Sequence, residues 1–238
     1  MPIREFDANP VSVPALSEGL FDASGRVILD PRALLGAAGA EGALSHALSL
    51  IHGGVQTAPR GAIQDPAGSA IGSGRKPSGG GGSGAIYGAF PDLAPVPAIQ
   101  PRSAIFNTST GPGRRVLHSF SPQLGQTPSD AEERRASLEA IANTYANAIL
   151  AFDDRVPHLG ADGRVLNLAP VAAKIFAGGY KNRDLDHLDP SFSITALYLA
   201  VSELAGAGAA IPALALYYFD APVFAAAEAV HARLSADA

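Results

Sequence analysis

Residues 77–90 read PSGGGGSGAIYGAF, a glycine run that passes directly into a small apolar segment. Gly79, Gly80, Gly81 and Gly82 have no side chains to hold a ligand away, and glycines reach backbone angles closed to other residues. A helix starting near Ser83 and running to Phe90 would turn its free N–H groups and the positive end of its dipole toward that run. Such an arrangement suits a phosphate. The wider stretch GSGRKPSGGGGSG also has the composition of a flexible Gly/Ser linker. The surrounding sequence has to decide between the two.

The chain of 238 residues is long enough for one large domain or two small ones with a sizeable core. Apolar residues make up 47% of it, which marks a globular protein. A net charge of −5 argues against general nucleic-acid binding, which needs a basic surface to displace counterions. With no cysteine, disulfides, thiolate metal sites and cysteine nucleophiles are excluded. Residues 1–20 contain no continuous apolar core of a secretory signal. Residues 193–219 are apolar enough to suggest a membrane span, but Glu203 at their centre and Pro212 favour a soluble helix–turn–strand. The expectation is a soluble protein with no membrane partner.

Outward from the glycine run, the pattern alternates strands and helices. Residues 1–30 are rich in Pro, Ser and Asp and read as an irregular leader. Residues 31–51 are alanine-rich with leucines at helical spacing, which predicts one or two short helices. Residues 61–64, 104–107, 115–120, 164–171 and 211–219 read as strands, and 65–82 as a long polar loop. Residues 130–153 are the clearest helix, with Ser129 and Glu132 forming a capping box and an apolar stripe through Leu138, Ile141, Tyr145, Ile149 and Phe152. Asp189-Pro190 opens another helix, ending near Gly206, and Asp220 caps a last one reaching Leu234.

The order of these parts resembles a macro domain, the fold that binds ADP-ribose. In that family a strand ends in an Asn-Ala-Ala-Asn-like segment, followed by a loop and a GGGGVDGAIH-like run. A VIHTVGP-like strand, an amphipathic helix, a PAISTGIFG-like strand and loop, and a last strand–helix come next. Here the matching pieces are AIQDPAGS (62–69), GGGGSGAIYGA (79–89), VLHSFSP (116–122), APVAAKIFAGG (169–179) and LALYYFDAPVFAAAEAVHARL (214–234). The resemblance implies an α/β fold, a three-layer α/β/α macro-domain-like mixed sheet with helices on both faces. It would form one domain over 31–238, of which 31–60 is a divergent N-terminal helical part. Because the glycine run sits inside this order of parts, a binding loop is favoured over a linker.

The departures bear on function. Asp65 and Gly68 stand where the family has its two asparagines, and Lys174 and Ala177 replace glycines of the second loop. The segment Asp65-Pro66-Ala67 is similar to the Asp-Phe-Ala of poly(ADP-ribose) glycohydrolases.

As the resemblance implies, Ser78, Gly79, Gly80, Gly81, Gly82 and Ser83 would clasp a diphosphate from one side. Lys174, Ile175, Phe176, Ala177, Gly178, Gly179 and Tyr180 would clasp it from the other. Asp65 would accept from the adenine edge, and Phe219 or Asp220 would meet its face. Tyr87 and Tyr180 could flank the ribose or simply pack. Cleaving an ADP-ribosyl bond passes through an oxocarbenium-like state, which a carboxylate can stabilise or attack with water. The densest carboxylate cluster is in KNRDLDHLDPS, where Asp189 reads as a helix cap and Asp184 and Asp186 are the catalytic candidates.

A single histidine, His187, beside aspartates is too little for a metal site, and His118 on a strand reads as a satisfied core residue. No G-x-S-x-G elbow supports serine catalysis. The expected activity is an ADP-ribosylhydrolase with ADP-ribose as ligand or product and no further cofactor; the alternative is a reader that binds without turnover. Some secreted bacterial effectors with divergent macro domains act on ADP-ribosylated ubiquitin. The leader and the divergence extend the expectation to that target, in the cytoplasm or in a host cell reached without a conventional signal peptide.

Overall fold

The computed structural model describes residues 48–67, 76–101, 103–127, 130–152 and 164–235. Its strands are β1 (Leu48–His52), β2 (Ala62–Ala67), β3 (Ala104–Phe106), β4 (Val116–Phe120), β5 (Val165–Leu168), β6 (Lys181–Asn182), β7 (His187–Leu188) and β8 (Ala213–Tyr218). The helices are α1 (Gly81–Ala89), α2 (Ala131–Ala151), α3 (Pro190–Gly206) and α4 (Ala221–Ser235). Six strands form one sheet in the order β1-β8-β5-β2-β4-β3, with β6 and β7 in a separate hairpin. The neighbours pair in parallel except for β3, which runs antiparallel to β4 at one edge.

Alternation along β8 shows why helices cover both faces. Leu214 and Leu216 join the core cluster made with α2, α3 and α4, whereas Ala215 and Tyr217 join the cluster that holds Ile86 of α1. The expected three-layer α/β/α mixed sheet is therefore what the chain forms, and its parallel strands are apolar on both sides. The α2 stripe of Leu138, Ile141, Tyr145, Ile149 and Phe152 is buried as its spacing predicts. Asp130, one residue later than expected, caps that helix by accepting from the Glu133 N–H at 2.8 Å. Asp189 caps α3 with Pro190 at the first turn, as read from the sequence.

Two expectations need correction. Residues 48–51 form strand β1 rather than the end of a helix, because pairing with Leu214, Ala215, Leu216 and Tyr217 supplies partners that helical spacing could not reveal. The remainder of the predicted 31–51 helices, like the leader, Gly68 and Ser129, lies outside the described residues. Strand β2 runs on to Ala67 instead of ending at Gln64, so Asp65 belongs to the sheet and not to a loop.

Two histidines, His187 buried and His231 half-buried, give stability a pH dependence. Burial holds His187 of β7 and His231 of α4 below the usual histidine value of 6.5. The unfolded chain then takes up protons that the folded chain refuses, so their stabilisation is full above about pH 6.5 and is lost as pH falls below it. The expected result is a melting temperature that declines between pH 7 and pH 5.5. His187→Gln should flatten that decline; an unchanged slope would remove His187 as its source.

Candidate functional site

Strand order places the site. The connection after β2 leaves toward β4, whereas the chain after β5 leaves toward β8, so their carboxyl ends flank the point where the sheet's winding reverses. Open α/β sheets take ligands in the crevice at such a point. Pairing of β2 with β5 ends at Ile63 and Asn167, while pairing of β2 with β4 continues to Ala67. The Ala67 carbonyl bonds to the Ser121 N–H at 2.7 Å on the β4 side, so Pro66 faces the β5 side, where it offers no N–H. The two strands therefore separate at their carboxyl ends.

The glycine run is on one side of this opening. Helix α1 begins at Gly81, with Gly80 as its extended cap residue and Gly81 itself at φ +58°. A side chain added at Gly80, Gly81 or Gly82 would meet nothing within 4 Å, so the run presents bare backbone to open space. The first N–H groups of α1 lack intrahelical partners, as at any helix start. Gly84 is required for a different reason: a Cβ there would lie 2.6 Å from the Gly79 carbonyl oxygen, so the loop is layered directly on the first turn. Ser78 is exposed, and Ser83 is half-buried.

Behind the loop lies a polar network inside the protein. Asp65 Oδ1 accepts from Ser83 Oγ at 2.6 Å, and Oδ2 accepts from Tyr87 Oη at 2.7 Å and from His118 Nδ1 at 2.8 Å. Asp65 and His118 are both 0% exposed. Burial first, and then the Asp65 carboxylate, hold the Tyr87 hydroxyl far above the usual tyrosine range, so it stays a donor. This revises the role expected of Asp65: three donors from the chain occupy its carboxylate, which is not offered to an adenine edge. His118 is the satisfied core residue its strand position suggested.

The second loop, residues 169–180, follows β5 and reaches over the end of β2 to the segment after β4. The Leu124 N–H donates to the Phe176 carbonyl and the Gly179 N–H to the Gly125 carbonyl, each at 2.8 Å. The N–H groups of Ala177, Gly179 and Tyr180 are all committed to carbonyls, and Ala177 and Tyr180 are buried. These three serve as scaffold rather than as the expected ligand donors. Among the described residues, Ile175, Phe176 and Gly178 retain uncommitted N–H groups. Tyr180, its hydroxyl pushed up to about 12 by burial, packs at 5.3 Å from the Phe192 ring. It therefore does not flank a ribose.

Gly178 sits at φ +55°, where a Cβ would press on the Gly125 carbonyl and lie 2.5 Å from that of Leu124. Both obstacles are backbone. Gly178→Ala is expected to cost about 2–3 kcal/mol, lowering the melting temperature by roughly 5–10 °C. A melting curve like that of the parent would show that the second loop is not locked to the segment after β4.

At the rim, Lys174 Nζ bonds to Asp220 Oδ2 at 3.1 Å, joining the loop after β5 to the turn after β8. Their sequence neighbours Ile175 and Phe219 are 82% and 73% exposed. Phe219 is thus not core but a free aromatic face at the carboxyl edge of the sheet. Asp184 and Asp186 lie on the exposed turn between β6 and β7, where Asp186 pairs with Lys181, which lowers its pKa. The hairpin is tied to the second loop by the Leu188 N–H donating to the Ala173 carbonyl at 2.7 Å. No group of three or more metal-ligating side chains occurs among the described residues, and no helix among them is long and apolar enough to cross a membrane.

No protein-family model matches this sequence, and no curated protein matches it. Solved structures do. The Trypanosoma brucei macrodomain in complex with ADP-ribose superimposes with a TM-score of 0.52 at 17% identity, covering 79% of this chain and 70% of that one. A variant of the Oceanobacillus iheyensis macrodomain gives 0.52 at 15% identity, over 78% of this chain and 90% of that one. An alphavirus P23pro-zbd structure gives 0.53 at 18% identity over 81% of this chain, which spans only 24% of that longer one. At these identities the likeness is one of fold, and it agrees with the strand order and the paired glycine loops: this chain has the macrodomain fold.

Proposed function

We propose that the crevice between the two loops binds ADP-ribose, free or attached to a protein. The observation that carries this reading is the bare, open backbone of Gly80, Gly81 and Gly82 at the start of α1, beside the point where the sheet's winding reverses. N–H donors from both loops suit a diphosphate, and exposed Phe219 suits a base. Structural neighbours in complex with ADP-ribose and with ADP support the choice of ligand. Trypsin gives a direct test at the bond after Arg75, four residues before the run, since the bond after Lys76 is protected by Pro77. ADP-ribose is expected to slow cleavage there, and cleavage unaffected by saturating ADP-ribose would refute the reading.

Hydrolysis of an ADP-ribosyl bond is the finer reading. Its support is the tether that keeps Asp184 and Asp186 beside the second loop. Their exposure favours binding without turnover, because a solvated carboxylate gains nothing from a low-dielectric setting. Release of ADP-ribose from a modified protein such as ubiquitin, lost on replacing both aspartates with alanine, would establish the hydrolase. Absence of release with intact binding would establish the reader.

A further inference from the structure

We infer that Asp65, Ser83, Tyr87 and His118 form a positioning device that sets the glycine loop at the height where its N–H groups meet a ligand. This inference rests on the binding reading above and adds side chains that hold the loop from behind, away from the ligand. Ser83 and Tyr87 are four residues apart in α1, so both hydroxyls leave the same face of the helix. They converge on one carboxylate in the sheet, at 2.6 and 2.7 Å. The helix that begins the glycine loop therefore hangs from β2 by two charge-assisted hydrogen bonds.

The sheet end of this device has only one hydrogen-bond arrangement. Asn107 Oδ1 accepts from the backbone N–H groups of Ala94 and Ser109, which fixes its Nδ2 toward the Ala94 carbonyl and toward His118 Nε2 at 3.0 Å. Facing a donor, Nε2 must accept, so the ring proton sits on Nδ1 and points at Asp65. Every donor from Asn107 to the helix thus has one partner and one direction. The loop end is equally constrained: the Tyr87 ring would lie 3.4 Å from a Cβ at Gly79, and the Gly79 carbonyl rests on Gly84. The run thus lies beside the ring whose hydroxyl Asp65 holds.

The test measures ADP-ribose affinity calorimetrically at a temperature where each variant is fully folded. Ser83→Ala and Tyr87→Phe are each expected to weaken binding about fivefold, and the double variant about 25-fold. Val230→Ala, a cavity on α4 remote from the crevice, serves as a control for stability alone and is expected to bind like the parent. Parent-like affinity in the Ser83 and Tyr87 variants would overturn the inference, as would equal weakening by Val230→Ala. If the parent itself fails to bind, the binding reading falls. Hydrogen exchange then decides the device: Tyr87→Phe should speed exchange at the hydrogen-bonded amides of α1, starting at Gly84, whose N–H donates to the Gly80 carbonyl, while leaving α3 unchanged; no change in α1 would overturn it.

Discussion

Gly82→Glu is expected to raise the melting temperature and to remove ADP-ribose binding. Position 82 is the second residue of α1, and a side chain there meets nothing within 4 Å. Glutamate has a better helix propensity than glycine and places its charge at the positive end of the helix dipole. Together these are worth about 1 kcal/mol, or roughly 2–4 °C for a chain of this size. The Cβ of a helical residue tilts toward the helix N-terminus, which here is the mouth of the crevice. A carboxylate there opposes a diphosphate, and like charges brought together cost several kcal/mol, so affinity should fall by about 100-fold or more. Gly82→Gln separates charge from bulk. Parent-like binding by Gly82→Glu would mean that the helix start does not hold the anion.

Asp65→Ala is expected to have the opposite profile, acting first on the fold. It leaves the fully buried His118 Nδ1 and the half-buried Ser83 and Tyr87 hydroxyls without their acceptor. The cost should be on the order of 3–5 kcal/mol, lowering the melting temperature by roughly 10 °C or more. Asp65→Asn should rescue most of that loss, because the network leaves one orientation open to an amide. The asparagine oxygen can take the place of Oδ2 and accept from Tyr87 and His118 Nδ1, and its NH2 then faces the Ser83 hydroxyl, which can turn to accept. The opposite flip would set the NH2 against the proton on His118 Nδ1, which cannot move to Nε2 because that nitrogen faces Asn107 Nδ2. What is lost is the charge of the acceptor, at about 1–2 kcal/mol. A melting temperature for Asp65→Asn as low as that of Asp65→Ala would contradict the assigned hydrogen-bond directions.

What the sequence revealed follows the range of the interactions involved. The cap at Asp189, the α2 stripe and the presence of a helix at the glycine run depend on residues within a turn or two of each other, and all were readable, although α1 starts at Gly81 inside the run and not at Ser83. Strand β1 was not, because its partners are more than 160 positions away and its leucines also fit a helix. The β6–β7 hairpin has two residues in each strand, too few for any periodicity.

For the candidate site, the positions of the two loops and of Phe219 at the end of β8 could be named from the order of motifs, but the exposure of Phe219 could not. The role of Asp65 could not, since its donors lie 18, 22 and 53 residues away. A signal was nonetheless present: an aspartate in an apolar strand must find donors, and Ser83 and Tyr87 share a helix face. Which N–H groups of the second loop stay uncommitted depends on the segment after β4, a contact that no local pattern encodes.

The central claim, a crevice for ADP-ribose between the two loops, is tested most directly by calorimetric titration of the full chain with ADP-ribose, with AMP and ribose-5-phosphate as controls. One-to-one binding with a Kd of about 1 μM or tighter, and much weaker binding of either half of the ligand, is the predicted result. No heat and no thermal stabilisation by ADP-ribose would contradict it, leaving the glycine run as a loop without a ligand and the macrodomain fold as architecture alone.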